Sequence, residues 1–486
     1  MVFEPYTLMV MVLASFYGLF VGAVPGLTAT MATALLVPVT FFMAHIPAIA
    51  AIVTATAMAI FSGDIPGCLL RIPGTPASAA YTDEAFAMTK KGQAEMALGA
   101  GLVFSAVGGL FGTAVLILAA PALAEFATQF SSFEYFWLVL LGLTCAVFIT
   151  SDRPLKGLIT LFLGLLVACV GLGNPAGFPR FTFGNTEMMG GIGMISMMIG
   201  MFAISEIIRF VVDTSPPAVL VVEQVGNVLK GQWALAKKYP VQILRGSALG
   251  TLVGALPGAG ADIAAWMSYA MSKKFSKEPE KFGTGHVEGI VESGSANNSA
   301  LAGAWIPALV FGIPGDSITA IVIGVLYMKN MNPGPSLFTT NPQNIYAVFL
   351  IFILANIIMI PLGIMCIKAS QRILKVPRNI LMPIILVFCV VGTFAINNTL
   401  FDVGVMLVAG LVAYLLEENE FPIAPAILGV VLGGMLEENF ITSMIKSDGN
   451  LLAFFARPIA ATLAVVTILV WITPPLMALL RKKQCA

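Results

Sequence analysis

Long apolar runs follow one another along the 486-residue chain, from residues 6–20 near the start to residues 460–476 near the end. A helix that crosses the hydrocarbon core of a bilayer needs about 20 apolar residues. The first run has neither a basic segment ahead of it nor a small-residue cleavage site, so we expect it to be kept as a membrane helix. The pattern predicts an all-α polytopic membrane protein with about 12–14 membrane segments.

Two short motifs occur twice, in the same order, in the two halves of the chain. Val21-Gly22-Ala23-Val24-Pro25-Gly26 returns as Val253-Gly254-Ala255-Leu256-Pro257-Gly258, and Arg71-Ile72-Pro73-Gly74 returns as Gly312-Ile313-Pro314-Gly315. A third, weaker match relates residues 136–171 to residues 381–416. These matches predict a first membrane repeat at residues 1–212, a linker at residues 213–240 and a second membrane repeat at residues 241–486.

Basic residues are concentrated in some loops and scarce in others. They occur at Lys90 and Lys91, in the linker, at residues 273–281 and at residues 368–378, whereas the matching loops of the other half carry one lysine or none. Short cytoplasmic loops retain Lys and Arg. Because a loop that is basic in one half is neutral at the matching place in the other, we predict inverted-topology repeats. The N-terminus would lie outside, and the linker and the C-terminus in the cytoplasm.

The Pro-Gly pairs interrupt apolar runs in both halves. Proline removes a backbone donor and glycine permits strained turns, so each helix is expected to break there. Backbone groups freed by a break are tolerated in a membrane only where they are buried in protein or line a wet cavity, as in secondary transporters. A tight turn at the membrane surface is the alternative. The substrate contacts predicted at these Pro-Gly-broken helices are Pro25, Gly26, Thr28, Pro257, Gly258 and Gly260.

Two further stretches, residues 62–78 and 293–319, are too rich in glycine and proline for a continuous span, and each is predicted to form a re-entrant hairpin. Glycines and hydroxyls at a hairpin tip let backbone amides approach an anion, as at helix N-termini. Two roles are open to Arg71: a bidentate clamp on a substrate carboxylate, or neutralisation of Asp64. The substrate contacts predicted at the tips are Arg71, Gly74, Thr75, Ser78, Gly315, Asp316, Ser317 and Thr319.

Acidic and amide side chains in the same regions suggest a bound cation. A charge inside the membrane costs about 2.5 to 3.5 kcal/mol, so Asp64, Asp262 and Asp316 need a reason to be there. Asn297 and Asn298 precede a small-residue segment, and Na⁺ prefers oxygen ligands. We predict that both asparagines contact substrate and that, with Asp64 and Asp262, they hold Na⁺ or carry a proton. Helix capping by the asparagines and structural salt bridges for the aspartates are the alternatives.

Composition narrows the function. Only 10% of the residues are charged and 58% are hydrophobic, the mean hydropathy is +0.94 and the net charge is zero. We therefore expect a lipid bilayer and no nucleic acid as partner. No Walker loop, HExxH or GxSxG sequence occurs, so we expect neither an enzyme nor a resident cofactor. The Met-rich run at residues 188–201 predicts adaptable packing and helix contacts through glycine.

Several motifs, in this order along the chain, resemble the large membrane (permease) subunit of the tripartite tricarboxylate transporters, the TctA-like family. They are Leu70-Arg71-Ile72-Pro73-Gly74, Phe181-Thr182-Phe183-Gly184, Gly254-Ala255-Leu256-Pro257-Gly258-Ala259-Gly260-Ala261, Ala296-Asn297-Asn298, Ile306-Pro307, Gly312-Ile313-Pro314-Gly315, Asn332-Pro333-Gly334-Pro335 and Gly434-Met435-Leu436-Glu437. The resemblance implies a multi-pass protein of the bacterial inner membrane that imports carboxylates with a Na⁺ or proton gradient. It also implies elevator-type alternating access and two partners: a small four-helix membrane subunit and a periplasmic solute-binding protein.

Three places depart from the pattern of that family. It usually has a neutral residue at Arg71, a small residue at Asp316, and Pro-Glu where Ser293 and Gly294 stand. These changes fall inside the predicted site and leave the substrate open among tri- and dicarboxylates such as citrate. A passive anion channel is the main alternative function, ahead of a lipid-acting enzyme and a structural subunit. The sequence does not fix the oligomeric state, and a homodimer stays open.

Overall fold

The computed structural model describes residues 1–24, 27–150, 154–173, 178–212, 226–373 and 378–484. All regular secondary structure in these ranges is helical, apart from one isolated β-bridge between Gly171 and Arg180. The predicted break at Pro25 and Gly26 lies outside the described residues, as do residues 213–225 of the predicted linker.

The described helices of the first half are numbered α1 to α11. They are α1 (Pro5–Ala23), α2 (Ala29–Phe41), α3 (His45–Ser62), α4 (Asp64–Leu70), α5 (Pro76–Ala79), α6 (Thr82–Lys90), α7 (Ala94–Ala127), α8 (Ser132–Thr150), α9 (Pro154–Ala168), α10 (Met194–Ile199) and α11 (Ser205–Val212). A π-helix at Gly200–Ile204 joins α10 to α11, and a short 3₁₀-helix lies at Glu187–Gly190.

The described helices of the second half begin inside the predicted linker and are numbered α12 to α22. They are α12 (Gln232–Lys238), α13 (Pro240–Gly254), α14 (Gly260–Phe275), α15 (Val287–Phe311), α16 (Ser317–Met328), α17 (Pro335–Thr340), α18 (Pro342–Ile373), α19 (Arg378–Asn397), α20 (Leu400–Glu418), α21 (Ala424–Lys446) and α22 (Pro458–Gln484). Short 3₁₀-helices lie at Pro279–Lys281 and Leu451–Phe455.

Among the described residues, eight helical segments are long and apolar enough to cross a membrane. They are Pro5–Ala23, His45–Leu70, Ala94–Ala127, Met194–Val212, Pro342–Ser370, Ile380–Asn397, Leu400–Glu418 and Ala424–Lys446. Five shorter apolar helices accompany them: Ala29–Phe41, Ser132–Cys145, Pro154–Ala168, Ser317–Met328 and Pro458–Ile472. The prediction of an all-α, multi-pass membrane protein is thus confirmed, while the count of about 12–14 segments stays a prediction.

The two Gly- and Pro-rich stretches are helical in part and are interrupted near their middle or end. In the second stretch, residues 293–311 belong to the 25-residue helix α15, and α16 begins only at Ser317. In the first half, α3 and α4 follow each other with only Gly63 between them. Gly, Ala and Ser are common where membrane helices pack closely, because they let two backbones approach. The chain turns only after these helices, at residues 71–75 and 312–316.

Helices of the two halves pack against each other in the core. Within each half a first helix packs on a third: α1 on α3, and α13 on α15. Helix α15 also lies along α7 of the first half, and α3 lies along α18 of the second half. In the same way α2 contacts α16, and α14 contacts α5. The core is therefore built jointly by the two halves.

Glycines make the close contacts inside each half. A Cβ atom added at Gly22 would overlap the carbonyl oxygen of Ala59 on α3, and one added at Gly254 would overlap that of Ala300 on α15. Further glycines on the same two helices, Gly18, Gly246 and Gly250, meet α3 or α15 backbone in the same way. Helices α1 and α13 thus use glycines in the same way to pack closely on α3 and α15, as the sequence repeat predicts.

The basic loops lie together at the N-terminal end of α7. Lys91 Nζ donates a hydrogen bond to the Thr284 carbonyl oxygen at 2.6 Å, which joins the first basic loop to the segment after α14. The linker lies at the same end of α7, because Gln232 Nε2 donates a hydrogen bond to the Met96 carbonyl oxygen at 3.3 Å. Lys368, near the end of α18, lines a surface cleft with residues 226–229. The described parts of the four basic loops therefore share one end of the molecule.

The loops poor in basic residues lie at the other end of α7. Pro335 and Tyr346 line a groove with residues 121–128 at the C-terminus of this helix. The 34 residues of α7 correspond to a length of about 50 Å, somewhat more than the thickness of a bilayer with its headgroups, about 40–45 Å. The two groups of loops are therefore separated by a membrane-spanning distance.

Candidate functional site

A cavity of about 360 Å³ lies between helices of both halves. Part of its lining comes from the first turns of α2, α5, α14 and α16, and another part from the π-helix, α11, α20 and α21, and Ile60 of α3 lines it as well. Seven residues that the sequence predicts as site residues line it: Thr28, Thr75, Gly258, Gly260, Asp262, Asp316 and Ser317. The structure thus brings together Thr28, the second Pro-Gly break and the two predicted hairpin tips.

Helices α2 and α16 begin at the cavity behind side-chain caps. Thr28 Oγ1 accepts a hydrogen bond from the Met31 amide at 3.1 Å. Asp316 Oδ1 accepts one from the Thr319 amide at 2.7 Å, and Thr319 Oγ1 accepts one in return from the Asp316 amide at 2.9 Å. Such caps satisfy some of the first amides of a helix, and the remaining ones point beyond its end.

The two predicted hairpin tips, at residues 71–75 and 312–316, have the same backbone conformation. Arg71 and Gly312 both adopt the left-handed conformation, with φ of 59° and 69°, and end their helices. Their amides bond back to the carbonyl oxygens of Gly67 and Ala308, at 3.1 and 3.2 Å. Four residues later each tip starts a new helix with a reciprocal cap, formed by Thr75 with Ser78 in the first half and by Asp316 with Thr319 in the second.

Helix α14 crosses from the second half to the tip of the first. The Asp262 carboxylate accepts a hydrogen bond from the Ala77 amide at 3.1 Å. The Gly258 amide donates to the Gly315 carbonyl oxygen at 2.8 Å. Gly260 has φ of +58°, and a Cβ there would lie 2.6 Å from the Cβ of Asp316, so only glycine fits. The second Pro-Gly break therefore connects both tips.

Arg71 lies outside the cavity lining. Its side chain is 61% exposed, and its Nε atom pairs with Asp83 Oδ1 at 2.9 Å. The predicted neutralisation of Asp64 was wrong, because Asp64 is buried and accepts a hydrogen bond from the Tyr81 hydroxyl at 2.6 Å. Other predicted residues flank the lining and shape the backbone around it: Gly74, Ser78, Pro257, Gly315 and Thr319.

The predicted asparagines lie in the middle of α15, away from the cavity lining, so neither caps a helix. Asn297 Nδ2 donates to the Tyr81 hydroxyl at 3.3 Å, which joins it to Asp64. Asn298 Nδ2 donates to Ser105 Oγ at 2.7 Å. Among the described residues, Asp64 Oδ2 and the side-chain oxygens of both asparagines have no hydrogen-bond donor. The core thus holds three buried acceptor oxygens, on Asp64 and on the adjacent residues Asn297 and Asn298.

The sequence-based prediction missed the second part of the lining. Arg209 and Glu206 on α11 and Glu417 on α20 face the cavity. Met201 and Phe202 also line it from the π-helix, so the Met-rich run does more than pack. Its predicted glycine contact is present, because a Cβ at Gly200 would overlap the Met406 carbonyl oxygen of α20. The sequence feature that could have predicted this part of the lining is Arg209, a basic residue within an apolar span.

These features define a multi-pass α-helical membrane protein with a cavity lined in part by helix ends and by charged side chains. The chain belongs to the tripartite tricarboxylate transporter TctA family, whose model matches residues 8–428. Membership makes it a membrane component of a tripartite tricarboxylate transporter, a class of transport proteins, and confirms the resemblance drawn from the motifs.

Two relatives come from Agrobacterium vitis. An uncharacterized 52.8 kDa protein in the TAR-I ttuC' 3' region is 34% identical over 449 residues, which cover 92% of this chain and 89% of the relative. An uncharacterized protein in the TAR-II ttuC' 3' region is 36% identical over 214 residues, which cover 44% of this chain and 88% of the relative. No solved structure matches the chain.

Proposed function

We propose that the protein takes up a small organic anion, a tri- or dicarboxylate such as citrate, by ion-driven secondary transport, and that the cavity is its binding site. The observation that carries the proposal is the convergence of helix N-termini. Helices α2, α14 and α16 have 13, 16 and 12 residues, and the first turn of each lines the cavity. Each helix N-terminus stabilises a nearby anion by about 0.3–1 kcal/mol, and by up to about 2 kcal/mol where it is partly buried.

The proposed transport mechanism is elevator-type alternating access on inverted repeats. Three features support it. The two tips have the same backbone conformation, helices of the two halves pack against each other, and the basic loops lie apart from the neutral ones. Two packing groups supply the parts: helices α1–α7 with α13–α18, and helices α8–α11 with α19–α22. The cavity is lined by both groups. A sliding motion of the first group along the second would carry the bound anion with it.

We propose that the coupling cation binds in the same cavity, at Asp262. Four carboxyl groups line the cavity, and two of them, those of Asp262 and Asp316, lie where the helix N-termini converge. Like charges at this range oppose one another, so Na⁺ or a proton at Asp262 favours binding of a carboxylate substrate. This arrangement would couple the two solutes directly.

A second candidate for the cation is the buried polar group around Asp64. Its Oδ2 atom and the side-chain oxygens of Asn297 and Asn298 are acceptors without a donor among the described residues. A buried polar atom that lacks a partner is costly, and Na⁺ or a proton would satisfy it. Substitutions of Asp64 and Asp262 separate the two candidates, as described in the Discussion.

The proposed assembly contains a small four-helix membrane subunit and a periplasmic solute-binding protein, in the bacterial inner membrane with the C-terminus in the cytoplasm. Family membership supports it, because the family is that of a three-component transporter. A homodimer of the chain is compatible with this assembly.

Vesicles that contain all three components test the function. A labelled tri- or dicarboxylate should accumulate above its outside concentration when a Na⁺ or proton gradient is imposed, and accumulation should stop when the gradient is dissipated. Equilibration of the label without uphill accumulation would favour a passive anion channel instead. Failure to take up any carboxylate, with all components present, would overturn the proposal.

A further inference from the structure

We propose that Arg209 binds one carboxylate of the substrate, and that Glu417 occupies this place on Arg209 while the cavity is empty. The inference rests on the proposed function, since it assigns a specificity-determining residue to the same cavity. Among the lining residues that the structure describes, Arg209 is the one basic side chain. It lies on α11, in the part of the lining that the helix N-termini do not supply.

The contacts of Arg209 are divided between two helices. Its Nη1 atom pairs with Glu206 Oε2, three residues earlier on α11, at 2.8 Å. Its Nη2 atom pairs with Glu417 Oε2 on α20 at 2.6 Å. Each carboxylate therefore engages one terminal nitrogen, whereas a guanidinium can present two parallel donors to a single carboxylate. Arg209 therefore makes a bidentate pair with neither of the two carboxylates.

Other arginines of the chain show what a structural pair looks like. Arg245 binds Glu292 through Nε and Nη2, both at 2.6 Å, and the Glu292 side chain is fully buried. Arg180 binds Glu437 in a similar two-bond arrangement at 2.6 and 2.7 Å. Unlike the Glu292 side chain, that of Glu417 is 28% exposed, and Arg209 is 40% exposed. Ion pairs this exposed contribute little to stability, so replacement of Glu417 by a substrate carboxylate costs little.

The local backbone supports a binding role. The π-helix at Gly200–Ile204 ends directly before α11, and two of its residues line the cavity with Ser205. Single π-helical turns inside α-helices occur frequently at functional sites. Here the turn sets the rotation with which α11 presents Arg209.

The geometry points to a substrate with at least two carboxylates. One carboxylate would lie at the first turns of α2, α14 and α16, and another would pair with Arg209. A monocarboxylate can reach only one of these two positions at a time. Arg209 would therefore distinguish di- and tricarboxylates from monocarboxylates of similar length.

Calorimetric titration of the purified chain with citrate, succinate and butyrate tests the inference. Arg209→Gln should weaken citrate and succinate binding about tenfold or more, while butyrate binding stays unchanged. Arg209→Lys should recover only part of the loss, because an ammonium lacks the two-donor fork. Glu417→Gln should strengthen citrate binding, since it removes the competing carboxylate. Arg71→Gln, a matched change at an arginine outside the cavity lining, should have no effect.

The outcomes are separable. If the wild-type chain binds none of the three acids, the proposed function falls and Arg209 loses its role with it. If Arg209→Gln binds citrate as the wild type does, or loses citrate and butyrate equally, only the role of Arg209 is overturned. Glu417→Gln provides a gain of affinity, which a variant that merely misfolds cannot produce, and an unchanged affinity in that variant would overturn the competition by Glu417.

Discussion

At the scale of single residues, the two aspartates of the cavity perform different structural tasks. Asp316 uses its carboxylate to cap α16, the helix that it precedes. Asp262 instead bonds to the Ala77 amide, 185 residues away in the chain. Capping by Asp316 is an interaction between residues close in the chain, whereas the contact of Asp262 exists only because the halves pack together. In the proposed coupling, Asp262 would bind the cation while one of its oxygens accepts the hydrogen bond from the Ala77 amide.

Asp262→Asn should make carboxylate binding independent of the cation. The amide oxygen of Asn can still accept from the Ala77 amide, so the fold is kept while the charge is removed. Typical couplings between two bound solutes change affinity by about fivefold or more. We expect citrate affinity to change by this amount with Na⁺ concentration or pH in the wild type and to lose that dependence in the variant.

Asp64→Asn is the matched test for the second cation candidate. If the buried group around Asp64 binds the coupling cation, this variant loses the cation dependence of citrate binding and Asp262→Asn keeps it. Cation dependence retained in both variants would contradict both proposed locations. The same titrations of citrate at several Na⁺ concentrations and pH values serve both variants.

Glu84 is a buried carboxylate that anchors a loop of the other half. It accepts hydrogen bonds from the amides of Gly283, Gly285 and His286 and from the Tyr269 hydroxyl, and its side chain is fully buried. A carboxylate is acceptor-only and matches four donors, which no neutral side chain does as well. The residue therefore fixes residues 283–286 against α6.

Glu84→Gln should destabilise the protein by about 1–3 kcal/mol, because the amide group of Gln would face backbone donors with a donor of its own. Thermal unfolding in detergent measures the loss, and limited proteolysis should cut residues 276–286 faster. Asp83→Asn is the neighbouring control: Asp83 is 67% exposed and pairs with Arg71, and exposed pairs contribute only about 0–1 kcal/mol. Equal stability of the two variants would speak against the anchoring role.

At the scale of helices, close packing through glycine defines the core of each half. Helix α13 lies so near α15 that a Cβ at Gly250 would overlap the Ala296 carbonyl oxygen and Ser299 Oγ. Not every helical glycine is of this kind: Gly404 in α20 has open space where a Cβ would stand. Whether a helical glycine is needed for close packing depends on the neighbouring helix and cannot be read from the sequence around the glycine.

Gly250→Ala should lower stability by about 1–3 kcal/mol, as overpacking of a tight core does. Gly404→Ala should be neutral or stabilising by up to about 1 kcal/mol, because alanine favours the helix more than glycine does. Thermal unfolding of both variants in the same detergent makes the comparison. A harmless Gly250→Ala would mean that α13 and α15 are farther apart than described.

At the scale of the whole molecule, the basic loops and the neutral loops occupy opposite ends of α7. The positive-inside rule assigns the basic end to the cytoplasm. Lys90 belongs to the basic end and Ser336, next to Pro335, to the neutral end. These two positions occupy nearly corresponding places near tip-containing segments of the two repeats, so their sides report directly on the inverted arrangement.

Single-cysteine variants Lys90→Cys and Ser336→Cys, in a background without the natural cysteines, should react with a membrane-impermeant thiol reagent from opposite sides. Both native side chains are exposed. We expect the Ser336→Cys variant to react in intact cells with a permeable outer membrane, and the Lys90→Cys variant to react only in inside-out vesicles. Labelling of both variants from one side would contradict the inverted topology.

Much of this architecture follows from the sequence by itself. Membrane-length apolar runs determine a helical multi-pass protein because the bilayer leaves backbone groups no other partner. The recurring motifs at Arg71 and Gly312, and the caps that follow them, determine the two tips, since left-handed helix ends and capping boxes are local interactions. Thr75, Asp316 and Ser317 reached the cavity for this reason.

Contacts between residues that are far apart in the chain were decided only by the tertiary structure. Arg71 and Arg209 are equally costly in an apolar sequence, and nothing local shows that Arg71 turns to Asp83 at the surface while Arg209 meets Glu417 beside the cavity. The continuous α15 likewise needed α7 and α13 against its small residues. Local sequence determines how a helix begins and ends, but the partners of its side chains are set by which helices pack together, and that is a property of the whole chain.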